Sequence, residues 1–271
     1  MNTDLTDKIS PFFFGPASQQ LFGLYHAPYA GQERDFGVLI CNPWGQEFIR
    51  AHRSISQLGL RLARAGFPVL RFDFTGAGDS AGADDCAGLA QWQADIRAAI
   101  QELKRRARVE SVFIAGLRLG ASLAGLVASG RDDVEGLVLW EPVVAGEEYL
   151  RDLESWQEEK EMYFFKQPGS SGDELLGFSL HPGLLDELRG LNLLALKRRP
   201  AADVLIIESN APDSGARPSV QRLCEHLQGL GANTEYRRVE SFKMWVEDPD
   251  KALVPQAVLE AAVNWLAGAA A

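Results

Sequence analysis

The stretch Val112-Phe113-Ile114-Ala115-Gly116-Leu117-Arg118-Leu119-Gly120-Ala121-Ser122 carries the most chemical information in the chain. An apolar run enters Gly116, Arg118 follows two residues on, and Gly120 opens a run of small residues. This is the layout of a nucleophile elbow, G-x-S-x-G, in which a tight strand-to-helix turn presents its middle side chain. A serine in that position attacks a carbonyl carbon. Arg118 stands in its place, and a guanidinium, with a pKa above about 12, has no lone pair to offer at neutral pH. No acyl-enzyme can form on it. A cation at a helix N-terminus also meets the positive end of the helix dipole, unless a carboxylate or a bound anion offsets it. Two readings of Arg118 follow. It holds an anionic ligand or a developing oxyanion, or it forms an internal ion pair that ties the elbow to a neighbouring loop.

A triad on this plan would add an acid and then a late histidine. Glu208 and Asp213 follow the apolar run Val204-Leu205-Ile206-Ile207 and are the candidate acids. No histidine follows His226, which falls within a helical pattern and reads as a surface residue. Nucleophile and base are both missing from their usual places, so serine hydrolysis of the ordinary kind is not expected.

Other residues suggest what chemistry is left. Cys41-Asn42-Pro43-Trp44-Gly45-Gln46-Glu47 follows the first clear apolar run. Pro43 cannot donate, but the Trp44 and Gly45 N–H groups, with that of Leu119, would make an oxyanion or anion-binding group. Glu47 is the acid expected to pair with Arg118. Its alternative role is as general base for a water molecule, with His52 as a further acid or base. Asp79-Ser80 closes a glycine-rich loop, where Asp79 is expected to cap backbone N–H groups. Asp79, Ser80, Glu141 and Trp245 are candidate pocket residues. Ser80 as a relocated nucleophile has no base near it in sequence, and Glu141 offers a second partner for Arg118. Trp44, Trp140, Trp156 and Trp245 line a pocket or pack between layers. Cys41 reads as a small buried apolar residue. Gly76-Ala77-Gly78 does not complete a dinucleotide fingerprint, and no P-loop or metal-ligand spacing is found. No cofactor and no metal are expected.

The elements that must position these residues show as alternating patterns. Short apolar runs at Phe36–Cys41, Pro68–Phe72, Val112–Ala115, Leu137–Trp140 and Val204–Ile207 read as buried parallel strands. Leu21–Tyr25 reads as an antiparallel edge strand. Between them, Ile55, Leu58, Leu62 and Ala65 share one helix face, as do Leu89, Trp92, Ile96, Ile100 and Leu103. Val220, Leu223, Leu227 and Leu230 mark a third helix, and Val258, Ala262 and Trp265 a last one. Strands alternating with helices imply an α/β fold, a mostly parallel doubly wound sheet covered on both sides. Residues 142–202 break the rhythm, with Tyr149, Leu153, Trp156 and Tyr163 at helical spacing and a break at Gly169-Ser170-Ser171-Gly172. They are expected to form a helical cap inserted in a core of residues 1–141 and 203–271.

Composition narrows the class of protein. The 271 residues are 46% hydrophobic and 24% charged, which excludes a disordered or fibrous chain. Lys and Arg number 27 against 37 Asp and Glu, a net charge of −10 with no basic cluster fit to follow a phosphate backbone. Nucleic acid is therefore not an expected partner. Three separated cysteines, Cys41, Cys86 and Cys224, suit a reducing compartment. The start, Met1-Asn2-Thr3-Asp4-Leu5-Thr6-Asp7, has no signal-peptide pattern, and no run is long enough to span a membrane. The expected location is cytoplasmic.

Together these pieces resemble the α/β-hydrolase superfamily, and within it the exosortase A system-associated hydrolase 2 branch. The resemblance rests on Gly116-Leu117-Arg118-Leu119-Gly120, Pro43-Trp44-Gly45-Gln46-Glu47, Asp73-Phe74-Thr75-Gly76-Ala77-Gly78-Asp79-Ser80, Trp140-Glu141-Pro142-Val143-Val144 and Trp245-Val246-Glu247. It runs from about Phe12 to Leu266. The superfamily usually shows a His-Gly pair where this chain has Asn42-Pro43. The resemblance implies the α/β-hydrolase fold with a cap; the reaction does not follow from fold. Three functions are open. The first is a degenerate hydrolase that binds an anionic or acyl-bearing small molecule, free or carrier-bound, through Arg118. The second is a non-serine ester or thioester hydrolase using Glu47 or His52 to activate water. The third is a non-catalytic partner protein of a biosynthetic pathway.

Overall fold

A computed structural model describes residues 9–29, 33–83, 87–163, 174–210, 215–245 and 253–270, with the backbone alone at 160–163 and 210. Cys86, Gly169-Ser170-Ser171-Gly172, Asp213, Val246, Glu247, the first seven residues and the Tyr163 side chain lie outside the described residues.

Eight strands form one sheet. They are β1 (Ile9–Phe14), β2 (Leu21–His26), β3 (Phe36–Cys41), β4 (Val69–Phe72), β5 (Ser111–Leu117), β6 (Val134–Trp140), β9 (Asp203–Asn210) and β10 (Asn233–Glu240). Their order is β1-β2-β4-β3-β5-β6-β9-β10. β4, β3, β5, β6, β9 and β10 run parallel, while β2 is antiparallel to both β1 and β4. The edge assigned from sequence to Leu21–Tyr25 is corrected by this order. β1 covers that strand and is itself the edge, where Pro11 costs no ladder hydrogen bond on the open side.

Alternation along the central strands sends side chains to two cores. Val38 and Ile40 face one layer with α1 (Gly45–Arg64) and α7 (Gln256–Ala269). Leu39 and Ile114 face the other, with α2 (Leu89–Ala107), α3 (Leu119–Ala128) and α6 (Pro218–Gly229). Burial on both faces explains why the parallel strands read as continuous apolar runs.

Between β6 and β9 lie α4 (Gly146–Tyr163), the hairpin β7 (Glu174–Leu175)–β8 (Phe178–Ser179), α5 (Pro182–Gly190) and a 3₁₀ turn at Leu193–Ala195. Tyr149, Leu153, Leu184 and Leu188 from this segment join the second core. No helix among the described residues is long and apolar enough to cross a membrane.

One buried pair within the sheet carries a pH dependence. Arg71 on β4 donates from Nε to Nε2 of His26 on β2, at 3.0 Å, and His26 is buried. Accepting at Nε2 requires the neutral ring. Burial first, and the Arg71 charge second, push the His26 pKa down from 6.5 to about 4. Between those values the unfolded chain binds more protons than the folded one. Stability therefore rises with pH through that window and is complete above it. Acidification from pH ~7 to ~4 is expected to remove about 3 kcal/mol through this residue. Urea unfolding of wild type and His26→Gln at the two pH values measures it, and the variant should lose less.

Candidate functional site

The elbow forms as a sharp turn between β5 and α3. Arg118 has φ 54° and ψ −123°, a left-handed conformation that a side chain bears only where the surroundings enforce it. Its N–H donates to Trp140 O on β6 at 2.9 Å, and its carbonyl accepts from Ala121 N and Ser122 N. The flanking glycines make room. A Cβ on Gly116 would come within 2.4 Å of Ala121 Cα, and one on Gly120 within 2.2 Å of Asn42 O.

The Arg118 side chain is buried and its charge is matched inside the protein. Nε donates to Glu47 Oε1 at 2.7 Å, and Glu47 is 1% exposed. The other Glu47 oxygen accepts from the Tyr149 hydroxyl of α4 at 2.9 Å. The guanidinium carbon lies 5.2 Å from the Tyr149 ring centre and 5.4 Å from that of Trp245. Arg118 Nη2 also reaches Asp152 at 3.9 Å. Burial lowers the Arg118 pKa, but the Glu47 carboxylate, with Tyr149 and Glu141, outweighs it and holds the net shift upward. Burial, then Glu47, raises the Tyr149 pKa well above its ordinary value, so its proton stays on the phenol. Arg118 is thus caged by a carboxylate and two aromatic faces.

Glu141 and Arg118 do not form the expected salt bridge. Glu141 Oε2 pairs with Arg217 at 3.0 Å, and Oε1 accepts from Ser209 N at 2.6 Å. Arg217, at the start of α6, also donates from Nε to Glu208 Oε1 at 2.7 Å. Glu208 accepts from the Tyr236 hydroxyl at 2.7 Å. Glu208 lies within β9, fully buried, rather than in the loop that follows. One arginine therefore serves two buried carboxylates. Burial, only partly offset by Arg217 and Arg118, leaves the Glu141 pKa raised.

An apolar cavity of about 320 Å³ lies beside the elbow, at the small end of the ~300–1,000 Å³ range of ligand pockets. Leu119, Gly120 and Leu123 form its α3 wall, and Trp44, Gly45, Phe48 and Ile49 its α1 wall. Phe74 and Trp92 close the back, Gly76–Gly78 line the cavity toward its open side, and the β7–β8 hairpin adds Phe178. Gly45 has φ +62°, and Trp44 stacks edge-on against Phe178 at 6.1 Å. The first amides of α1 and α3 have no intrahelical acceptor. Trp44, Gly45 and Leu119, the residues expected to supply anion-binding amides, all line the cavity. Asn42, also on the wall, donates from Nδ2 to Phe72 O at 2.8 Å, and its buried Oδ1 has no partner among the described residues.

The other expected pocket residues fall elsewhere. Arg118, Glu47, Glu141 and Trp245 form or flank the buried cage and do not line the cavity. His52 is exposed on α1, its ring 6.2 Å from that of Phe48. Asp79 is exposed, and its carboxylate caps no amide among the described residues. The capping carboxylate is that of Asp73, whose Oδ2 accepts from Asp79 N at 3.2 Å. The Ser80 hydroxyl donates to Asp73 O at 2.6 Å and accepts from Phe22 N at 2.9 Å, which makes it a structural link. Among the described residues no group of three or more His, Cys, Asp or Glu could hold a metal ion.

The parallel sheet, the elbow at the end of β5 and the paired loops at the same sheet edge define the α/β-hydrolase fold. A family model described as serine aminopeptidase, S33, matches residues 48–167. The chain is similar to Est1E of Butyrivibrio proteoclasticus, solved with ferulic acid bound, at 17% identity and TM-score 0.69 over 94% of this chain and 97% of that one. An esterase of Pyrococcus furiosus matches at 16% identity and TM-score 0.65, over 89% and 84% of the two chains. An alpha-beta serine hydrolase homologue of Coxiella burnetii matches at 15% and 0.61, over 95% of each. No curated protein matches the chain.

Proposed function

We propose that this chain is a degenerate α/β-hydrolase of the exosortase A system-associated type that binds an acyl-bearing small molecule without hydrolysing it through a serine. The observation that carries this reading is the uncharged, aromatic-lined cavity set against the helix amides beside a caged Arg118. The acyl group would fill the cavity, and its carbonyl oxygen would accept from the Leu119 and Gly45 amides. Arg118 then acts as a strut, because Glu47 already takes up its charge. Residues 142–202 act as the cap, supplying Tyr149 to the cage and Phe178 to the cavity wall. That one neighbour in fold was solved with ferulic acid suits an acyl ligand with an apolar body.

Water activation by Glu47 is a weaker reading, because both its oxygens are engaged and it is shut off from solvent. The role of a non-catalytic pathway partner makes no use of the cavity. One experiment separates the three. Short- and medium-chain acyl thioesters and aryl esters are tested for binding by thermal shift and for turnover. A rise in melting temperature with no turnover is expected. Turnover lost in Glu47→Gln would favour the non-serine hydrolase, and neither shift nor turnover would favour the partner protein.

A further inference from the structure

The cavity can accommodate only the uncharged part of a ligand. None of its lining side chains ionises, and Arg118 is taken by Glu47. Its mouth is different. Leu123, Trp92 and Phe74 are buried at the back, Phe48 and Phe178 are half-buried, and Ile49 is 55% exposed at the rim. The cavity therefore opens to solvent on the Ile49 side.

Three and four residues further along α1, on the same face as Ile49, stand His52 and Arg53. Both are exposed. The Phe48–His52 ring contact fixes His52 at the mouth. Across the opening, Gly78 lines the cavity and sits against Asp73, on which the His52 charge acts. Asp73 therefore faces His52 and holds the Asp79 amide, whereas among the described residues no carboxylate pairs with Arg53.

We infer that the ligand is an acyl group carried on a phosphate-bearing arm. The acyl group fills the cavity, the arm leaves over Ile49, and the phosphate meets Arg53 beside His52. The inference rests on the acyl-binding reading above and adds the carrier. Ile49 and Arg53 lie about 6 Å apart along the helix, a distance that a flexible arm spans easily. A thioester of phosphopantetheine has this chemistry, whether the arm belongs to coenzyme A or to a carrier protein.

Calorimetry with three octanoyl thioesters, on N-acetylcysteamine, on coenzyme A and on an acyl carrier protein, tests it. The coenzyme A thioester should bind about tenfold tighter than the N-acetylcysteamine thioester at low salt, an advantage that shrinks as salt is added. In Arg53→Glu the ratio of the two affinities should fall below about twofold. Tighter binding of the carrier-protein thioester than of the coenzyme A thioester assigns the arm to a protein, and the reverse assigns it to the coenzyme. Equal affinities for the two small thioesters, or a ratio untouched by Arg53→Glu, overturns the arm and leaves the acyl reading standing. Failure of all three to bind overturns both.

Discussion

Arg118→Ala is expected to lower stability by about 3–5 kcal/mol, because it strands the Glu47 carboxylate in a buried site without its cation. Glu47 is 1% exposed and, besides Arg118, keeps only the Tyr149 hydroxyl as a donor among the described residues. One neutral donor does not replace an ion pair at 2.7 Å. The size of the loss reflects the stranding of a charge rather than the net worth of the pair. Replacing the whole cluster, with Arg118→Met, Glu47→Leu and Tyr149→Phe together, should therefore recover most of the loss. Equilibrium unfolding in urea measures all of these variants. If the triple variant were as unstable as Arg118→Ala, the cage would matter through its packing and the argument from charge would fail. Arg118→Ser restores a hydroxyl to the elbow, but no histidine stands beside it. It should show no aryl-ester turnover above background, and turnover would overturn the degenerate reading.

Leu123→Trp should abolish acyl binding, with a loss of at least about 100-fold in affinity, because the indole takes the space the ligand needs and a packed wall does not yield. Leu123 is 1% exposed and lines the cavity from α3. The cavity gives the larger ring somewhere to go, so the cost in stability should stay within the ~1–3 kcal/mol usual for overpacking. Leu123→Ala enlarges the same wall and should move the preference toward longer acyl chains. Calorimetry on a chain-length series reads both effects. Full binding by a folded Leu123→Trp would place the ligand outside this cavity.

Much of this was legible in the sequence where burial is two-sided. Phe36–Cys41 and Val204–Ile207 are apolar throughout because both faces of their strands are covered. The edges were not legible, for the same reason. β10 reads Asn-Thr-Glu-Tyr-Arg-Arg-Val-Glu and buries too little to leave an apolar run, while β1 contains Pro11. The Glu47–Arg118 pair could be anticipated because the elbow demands a compensating acid and the fold brings the two loops together. Tyr149 could not, because its helical spacing made it look like core, and a buried phenol gives no sign of the acceptor it has found. Arg217 in Gly-Ala-Arg-Pro looks like any surface arginine. Its hold on Glu141 and Glu208 depends on how β6, β9 and α6 converge, which no local pattern records. His52 misled because closeness in sequence to Glu47 does not fix the side of the helix, and it lies five residues round from that acid on the solvent face.

The cage also has a place in time. Glu47 and Arg118 are 71 residues apart, and Glu47 and Tyr149 are 102 apart. A junction between such distant segments needs the sheet between them in place, and we predict that it closes after the rate-limiting step of folding. Interactions of that kind set how long the native state lasts rather than how fast it forms. Loosening the cage with Tyr149→Phe should leave the refolding rate nearly unchanged and shorten the native lifetime. Arg118 would then act as a late latch, holding the finished molecule shut at the turn where a nucleophile elbow places its serine.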